Sequence, residues 1–456
     1  MTALYYLLGV VIFVVAILAS IGLHELGHMI PAKKFGGKVT QYFIGFGPTV
    51  WSTQRGETEY GVKAIPLGGY VKIVGMLPPG AEELDEEREN PVYDEDGNRV
   101  IRVRKSNTGL FTQLISDARA AEWEHIGPED SDRLFYKMPW WKKVIVMAGG
   151  PTVNILIAFF IFLAVFATYG QRSVEPEAGK PVIDEVSDCV VSASEDGRVC
   201  TAKDPVAPAK DAGLQHGDTI LSFNGTEVTG WTQLQKMIRE NDNGQAVIVV
   251  ERDGAKVTAT TNTMVTPRPT SATDATEIEV GFLGVVPTSH VVVTKGGAIY
   301  TVEQMGHMTV DTVEALGTLP IKVWEVSKAI VGVEDRKADS PVSIVGGGRL
   351  AGETVSHDEF NVQEKMVFLL MLVAGFNLFI GLFNFIPLLP LDGGHIAGAL
   401  WEALRRGFAR LRGRPDPGYV DVAKLLPIAY VVASVIMVMG VVLIVADLVV
   451  PLHLES

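Results

Sequence analysis

The chain has 456 residues, 47% of them hydrophobic, and a mean hydropathy of +0.24, which excludes an ordinary soluble protein. Its net charge of −14 argues against nucleic acid as a partner. The apolar residues gather into a few long runs, so the pattern predicts a polytopic α-helical membrane protein with four transmembrane helices.

Residues 1–31 form the first run and predict transmembrane helix 1. The run is too long for a removable signal peptide, lacks a basic start and a small-residue cleavage site, and carries a chemical motif. That motif is His24-Glu25-Leu26-Gly27-His28. Residues four apart share a helix face, so His24 and His28 are placed to hold one metal ion together. Glu25, between them, is placed to act on a water beside that metal rather than to ligate it. Ionisable residues are costly in a lipid-embedded segment, and their presence there points to function.

The stretch 32–76 contains Gly45-Phe46-Gly47-Pro48 and Pro66-Leu67-Gly68-Gly69-Tyr70. Alternating aromatic and β-branched residues punctuated by Gly and Pro predict hairpins of short strands. The stretch is too apolar for a solvated loop and is read as a membrane-associated β-hairpin element beside the motif. Its strand edge is free to pair with an extended peptide. Residues 77–143 are charged, with the acidic run Glu82-Glu83-Leu84-Asp85-Glu86-Glu87, and read as a cytoplasmic insertion.

Residues 144–170 predict transmembrane helix 2, in which Asn154 is a polar residue at membrane depth. It serves either helix packing or the active site. The region 171–290 holds the chain's two cysteines, Cys189 and Cys200, which are a disulfide in an oxidising compartment or else two thiols. Its run Ala212-Gly213-Leu214-Gln215-His216-Gly217-Asp218-Thr219-Ile220, leading to Asn224-Gly225, resembles a PDZ domain. Such α+β domains take an extended peptide or chain end beside a helix.

Residues 291–362 carry apolar residues at helical spacing without a span-length run, which predicts amphipathic helices on the membrane surface. Within them Gly346-Gly347-Gly348 reads as a glycine-rich turn. Residues 363–394 predict transmembrane helix 3, broken near its end by Pro387 and Pro390 just before Asp392. Residues 395–425 read as a basic loop and 426–451 as transmembrane helix 4. Lys33, Lys34 and Lys38, with Lys142 and Lys143, flank the first connection, and Arg405, Arg406, Arg410, Arg412 and Arg414 fill the last. The positive-inside rule puts both connections in the cytoplasm and leaves the two termini and 171–290 outside.

Two histidines leave a tetrahedral site one protein ligand short. Helices 1 and 3 run in the same direction, so Asp392 reaches the membrane side that holds His24 and His28. Two histidines, an aspartate and a water fit an open catalytic zinc site. This context favours Asp392 as a ligand over a solvated turn residue before Gly393-Gly394, and His395 as a polar flank over a fourth ligand.

Together these features resemble the site-2 protease family of intramembrane zinc metalloproteases, in the bacterial branch with one PDZ domain. The resemblance rests on His24-Glu25-x-x-His28, Gly45-Phe46-Gly47-Pro48, Pro66-Leu67-Gly68-Gly69-Tyr70, Gly150-Pro151-x-x-Asn154, the PDZ signature, and Asn384-x-x-Pro387 leading to Leu391-Asp392-Gly393. It implies a zinc metalloendopeptidase of the bacterial cytoplasmic membrane, with its active site toward the cytoplasm. It implies Zn2+ on His24, His28 and Asp392, and Glu25 as catalytic base. Asn384, Asn154, Pro387, Gly45, Phe46, Gly68 and Gly69 would position substrate. The implied substrate is a single-span membrane protein, an anti-sigma factor, cut after a first extracytoplasmic cleavage. A membrane scaffold would need none of His24, Glu25, His28 and Asp392. A transporter would show matching halves with broken helices, and the sequence shows no such repeat.

Overall fold

The computed structural model describes residues 2–79, 92–93, 99–100, 110–123, 127, 130–191, 200–201, 203–269, 277–337 and 339–452. The acidic run at 82–87 lies outside them. The chain divides into two compact units, Gly170–Lys295 and the remainder. Among the described residues, four helices are long and apolar enough to cross a membrane: Thr2–Lys34, Trp140–Thr168, Val362–Asn384 and Val422–Val449.

The larger unit begins with α1 (Thr2–Lys34), whose Lys33 and Lys34 lie in the last turn, where cations suit the helix dipole. Next come β1 (Val39–Arg55) and β2 (Thr58–Ile73), antiparallel and joined by a tight turn. The expectation of short strands is corrected here: there are two long strands, each sharply bent. Residues 41–44 pair with 69–72 on one side and with 59–62 on the other, while 49–55 pair with 58–63. The bend falls at Gly45, which has φ +92°, and a Cβ there would stand 2.7 Å from the Ile65 carbonyl oxygen. Helix α2 (Leu110–Trp123) precedes α3 (Trp140–Thr168).

The second unit holds β3 (Gln171–Pro176), β4 (Ile183–Val186), β5 (Thr219–Phe223), β6 (Thr226–Glu227), α4 (Trp231–Arg239), β7 (Gln245–Arg252), β8 (Ala255–Asn262), β9 (Met264–Pro269), β10 (Glu277–Phe282), β11 (Val285–Pro287) and β12 (Ser289–Thr294). A four-stranded sheet runs β8-β7-β5-β6, and pairs β9–β10, β11–β4 and β12–β3 complete the strands. The β7–β8 hairpin turns on Asp253-Gly254, both at positive φ, as a two-residue hairpin loop demands. Alternate residues of β7, including Ile248 and Val250, join Ile220, Leu234 and Leu283 in one core. Cys189 and Cys200 are bonded to each other.

The larger unit resumes with α5 (Ala298–Ile330), α6 (Ile344–Ser356), α7 (Val362–Asn384), α8 (Asp392–Leu411) and α9 (Leu426–Val449). The glycine-rich turn at 346–348 is overturned, because these residues lie inside α6 behind a Ser343 N-cap. Their lack of side chains serves packing: a Cβ on Gly347 would meet the rings of Phe13 (2.8 Å) and Phe376 (2.9 Å). Asp447 on α9 ties down the start of α6 by accepting from the Ser343 and Gly346 amides, and it pairs with Arg336 at 2.7 Å.

The third span does not run to residue 394. It ends at Asn384, and residues 385–391 are non-helical before α8 starts at Asp392. The basic loop at 395–425 is likewise corrected, since α8 occupies its first half. Counting arginines hid a helix that buries Ala399 and Glu402 on one side and exposes Leu400, Leu404 and Phe408 on another, with Arg405 and Arg406 half-buried. Glu402 of α8 is buried and meets Lys143 of α3 at 2.7 Å, which fixes one helix on the other.

A candidate metal centre and its cavity

His24, Glu25 and His28 occupy the last third of α1, where it crosses α3. Gly27 and Gly149 make the crossing so close that the two backbones touch. As a result the Val146 carbonyl comes within 2.8 Å of His28 Nδ1. That carbonyl fixes the imidazole proton on Nδ1 and leaves the Nε2 lone pair free to bind a cation. Gly150 lies directly over both rings: a Cβ there would be 2.3 Å from His28 Nε2 and 2.7 Å from His24 Nε2.

Asp392 arrives from the first turn of α8. Its Oδ2 is 3.4 Å from His24 Nε2 and 3.3 Å from His28 Nε2, and the two nitrogens are 3.2 Å apart. Zinc bonds of about 2.0–2.1 Å in a tetrahedron place neighbouring donors about 3.3–3.4 Å apart. The triad therefore has the edge lengths of one face of such a tetrahedron, and its donor set of two imidazoles and a carboxylate suits zinc. Burial keeps His395, also on α8, below the usual histidine range and so neutral at pH 7.

A cavity of about 390 Å³ opens beside the triad. Glu25, Asn154, Asn384, Gly68, Gly69 and His395 all line it. Glu25 is buried against β2, and a Cβ on Gly69 would lie 3.0 Å from its Cγ. Asn154 is 1% exposed and its Oδ1 has no hydrogen-bond partner. The Asn384 Nδ2 donates to the Ile380 carbonyl.

Gly45, Phe46 and Pro387 are not among the lining residues. Phe46 acts one layer back, stacked on the cavity residue Tyr70 at 6.3 Å. Pro390 rather than Pro387 reaches the wall. Sequence reasoning passed over Ser20 and Tyr70 as site residues. Ser20 carries a usable signal, since it lies one turn before His24 on the same helix face. Tyr42 ties the hairpin to α1 by donating to the Gly22 carbonyl at 2.7 Å. Burial, then the nearby Glu25 charge, push its phenol up to about 12, so it stays a donor.

Membrane-length helices that carry an HExxH pair and receive a carboxylate from a third segment define a membrane-embedded metalloprotease. The family model described as Peptidase family M50 matches residues 12–426, and the chain belongs to that family. It is similar to the zinc metalloprotease Rip1 of Mycobacterium tuberculosis, at 34% identity over 98% of this chain and 99% of the relative. Rip1 of Mycolicibacterium smegmatis is 33% identical over 98% of each chain. The zinc metalloprotease RasP of Bacillus licheniformis is 25% identical over 87% of this chain and 90% of its own.

Proposed function

We propose that the chain is a zinc endopeptidase that cuts a peptide bond within the transmembrane segment of single-span membrane proteins. Anti-sigma factors trimmed by a first extracytoplasmic cut are the substrates. The observation that carries this reading is the triad at tetrahedral spacing, with Glu25 beside it in a cavity walled by a strand edge. His24, His28 and Asp392 hold the metal. A zinc ion held by them would supply Lewis acidity, enough to lower the pKa of a water and polarise a peptide carbonyl.

Glu25 takes the proton of the attacking water and hands it to the leaving nitrogen. A helical substrate hides its amides in its own hydrogen bonds, so it must be held extended at the site. Residues 68–72 of β2 offer the substrate a strand partner, and the two glycines there let its backbone come close. The unpartnered Asn154 Oδ1 accepts a substrate amide, and Asn384 lies on the opposite helix of the cavity. Excess basic residues around 33–38, 142–143 and 405–414 put the active site toward the cytoplasm and the second unit outside.

The second unit is a PDZ domain that binds a peptide or chain end. Support comes from its four-stranded sheet and from the groove between α4 and β10, lined by Trp231, Ile238, Phe282 and Leu283.

The test pairs zinc content with cleavage of a single-span substrate, for wild type and Glu25→Gln in detergent. Equal zinc near one per chain, with cleavage by wild type only, is the expected result. Cleavage by a zinc-free preparation, or by Glu25→Gln at the wild-type rate, refutes the assignment.

A further inference from the structure

A second cavity, about 750 Å³ and apolar, lies between α1 and α7 with Ile161 of α3 on its wall. Leu8, Ile12 and Ala16 line it from α1, and Met366, Leu370 and Val373 from α7. Leu8, Ile12, Met366 and Leu370 are exposed, so the groove is open at the side. From Tyr5 to Ala16 it runs about 16 Å along α1, half of a hydrocarbon core roughly 30 Å thick. Asp358 and Lys365 mark the end away from the triad.

The same helix faces continue into the catalytic cavity. One turn beyond Ala16 is Ser20 and the next is His24; beyond Val373 come Asn377, Ile380 and Asn384. Ser20, His24, Ile380 and Asn384 all line the catalytic cavity. Between groove and cavity, lining neither, Asn377 is fully buried and bridges the two helices. Its Nδ2 donates to Ser20 Oγ at 3.0 Å and to the Val373 carbonyl at 2.8 Å. Its Oδ1 has no partner. A lipid chain would call for hydrocarbon at that inner end. A helix that has to unravel calls for a hydrogen-bond acceptor, because an amide freed in lipid must find a new partner.

We propose that the groove between α1 and α7 seats the substrate's transmembrane helix, and that Asn377 Oδ1 accepts the first backbone N–H freed as that helix unwinds toward the triad. The Ser20–Asn377 bond closes the passage when no substrate is present and parts to admit it. This rests on the protease reading above.

The test uses the full chain in proteoliposomes and two single-span substrates that differ only by a Gly-Pro pair breaking the helix beside the scissile bond. Asn377→Leu removes the amide and keeps the bulk. Its cleavage of the unbroken helix is expected to fall about tenfold, the worth of one hydrogen bond, while the broken-helix substrate is cut at nearly the wild-type rate. Asn377→Ser, which restores an acceptor, recovers part of the loss. Equal loss on both substrates would mark Asn377 as merely structural, and no loss on either would also overturn the proposal. Wild type that cuts neither substrate would instead sink the protease reading and this inference with it. Occupancy is read by bifunctional thiol crosslinking of Leu370→Cys, in a Glu25→Gln background, to single-cysteine substrates. Crosslinks to the substrate helix within a few turns of the scissile bond are expected. Their absence in a zinc-loaded protein shows that lipid alone fills the groove.

Discussion

Gly27 and Gly149 are in backbone contact: a Cβ on Gly27 would stand 2.4 Å from the Gly149 carbonyl oxygen. This crossing sets where His28 meets Val146 and how Gly150 covers the imidazoles. Gly27→Ala or Gly149→Ala must push α1 and α3 apart. Overpacking of this kind costs about 1–3 kcal/mol, so thermal unfolding in detergent should shift down by several degrees for either variant. Proteolysis should fall further than stability does, because the Nε2 atoms move out of register with Asp392. Wild-type activity in Gly27→Ala would show that the crossing tolerates a methyl group.

Gly150 makes a separable point. A Cβ at this position points at the ligand nitrogens rather than at a neighbouring backbone. Gly150→Ala should therefore leave the helix crossing folded while lowering zinc affinity at least about tenfold, comparable to losing an orienting partner of a metal ligand. Metal titration of the folded variant checks this, and undiminished affinity would contradict the geometry.

Lys143 and Glu402 form an ion pair whose side chains are 7% and 2% exposed. Removing one partner leaves a buried charge, which costs about 3–5 kcal/mol. Glu402→Leu should be strongly destabilised, whereas the double variant Lys143→Met/Glu402→Leu should recover most of that loss. Thermal melts of the single and double variants decide it. A double variant as weak as the single one would mean that the pair positions α8 in a way hydrocarbon cannot replace.

In the second unit, Asp218 is fully buried and receives Arg252 Nε and Nη2, each at 2.7 Å, as well as the Gln215 amide. Burial opposes the charge, but the Arg252 hydrogen bonds outweigh it and hold the carboxyl below its ordinary value. A carboxyl lowered by folding contributes stability fully above its unfolded pKa of about 3.9 and loses it as pH falls through the folded value. Amide protection around 213–220 in the full chain should hold at neutral pH and decline only in strong acid. Asp218→Asn should reduce protection at pH 7 and flatten the acid dependence. An unchanged acid profile in that variant would exclude this carboxylate as its source.

What the sequence made legible was local. The helix period alone puts His24 and His28 on one face, and the basic clusters flank long apolar runs. Asp392 was legible as a neighbour of the two histidines once its motif was joined to theirs, and the structure puts it beside both. The failures share a physical cause: they depend on what a segment packs against. Gly346, Gly347 and Gly348 look like a turn until Phe13 and Phe376 stand over them. The arginines of 405–414 look like a loop until Ile396 and Ala399 face α3. The bend at Gly45, which lets residues 41–44 pair on both edges, depends on Ile65 lying opposite. Tyr70 reaches the cavity wall only through that fold-back.

The triad draws two of its donors from α1 and the third from Asp392, with the whole second unit lying between them in the chain. A nascent chain that has threaded its first two membrane helices and its second unit still lacks a complete ligand set. Assembly of the centre therefore waits for α7 and the start of α8 to be in place. Until then His24 and His28 stand without the carboxylate that completes the proposed zinc site.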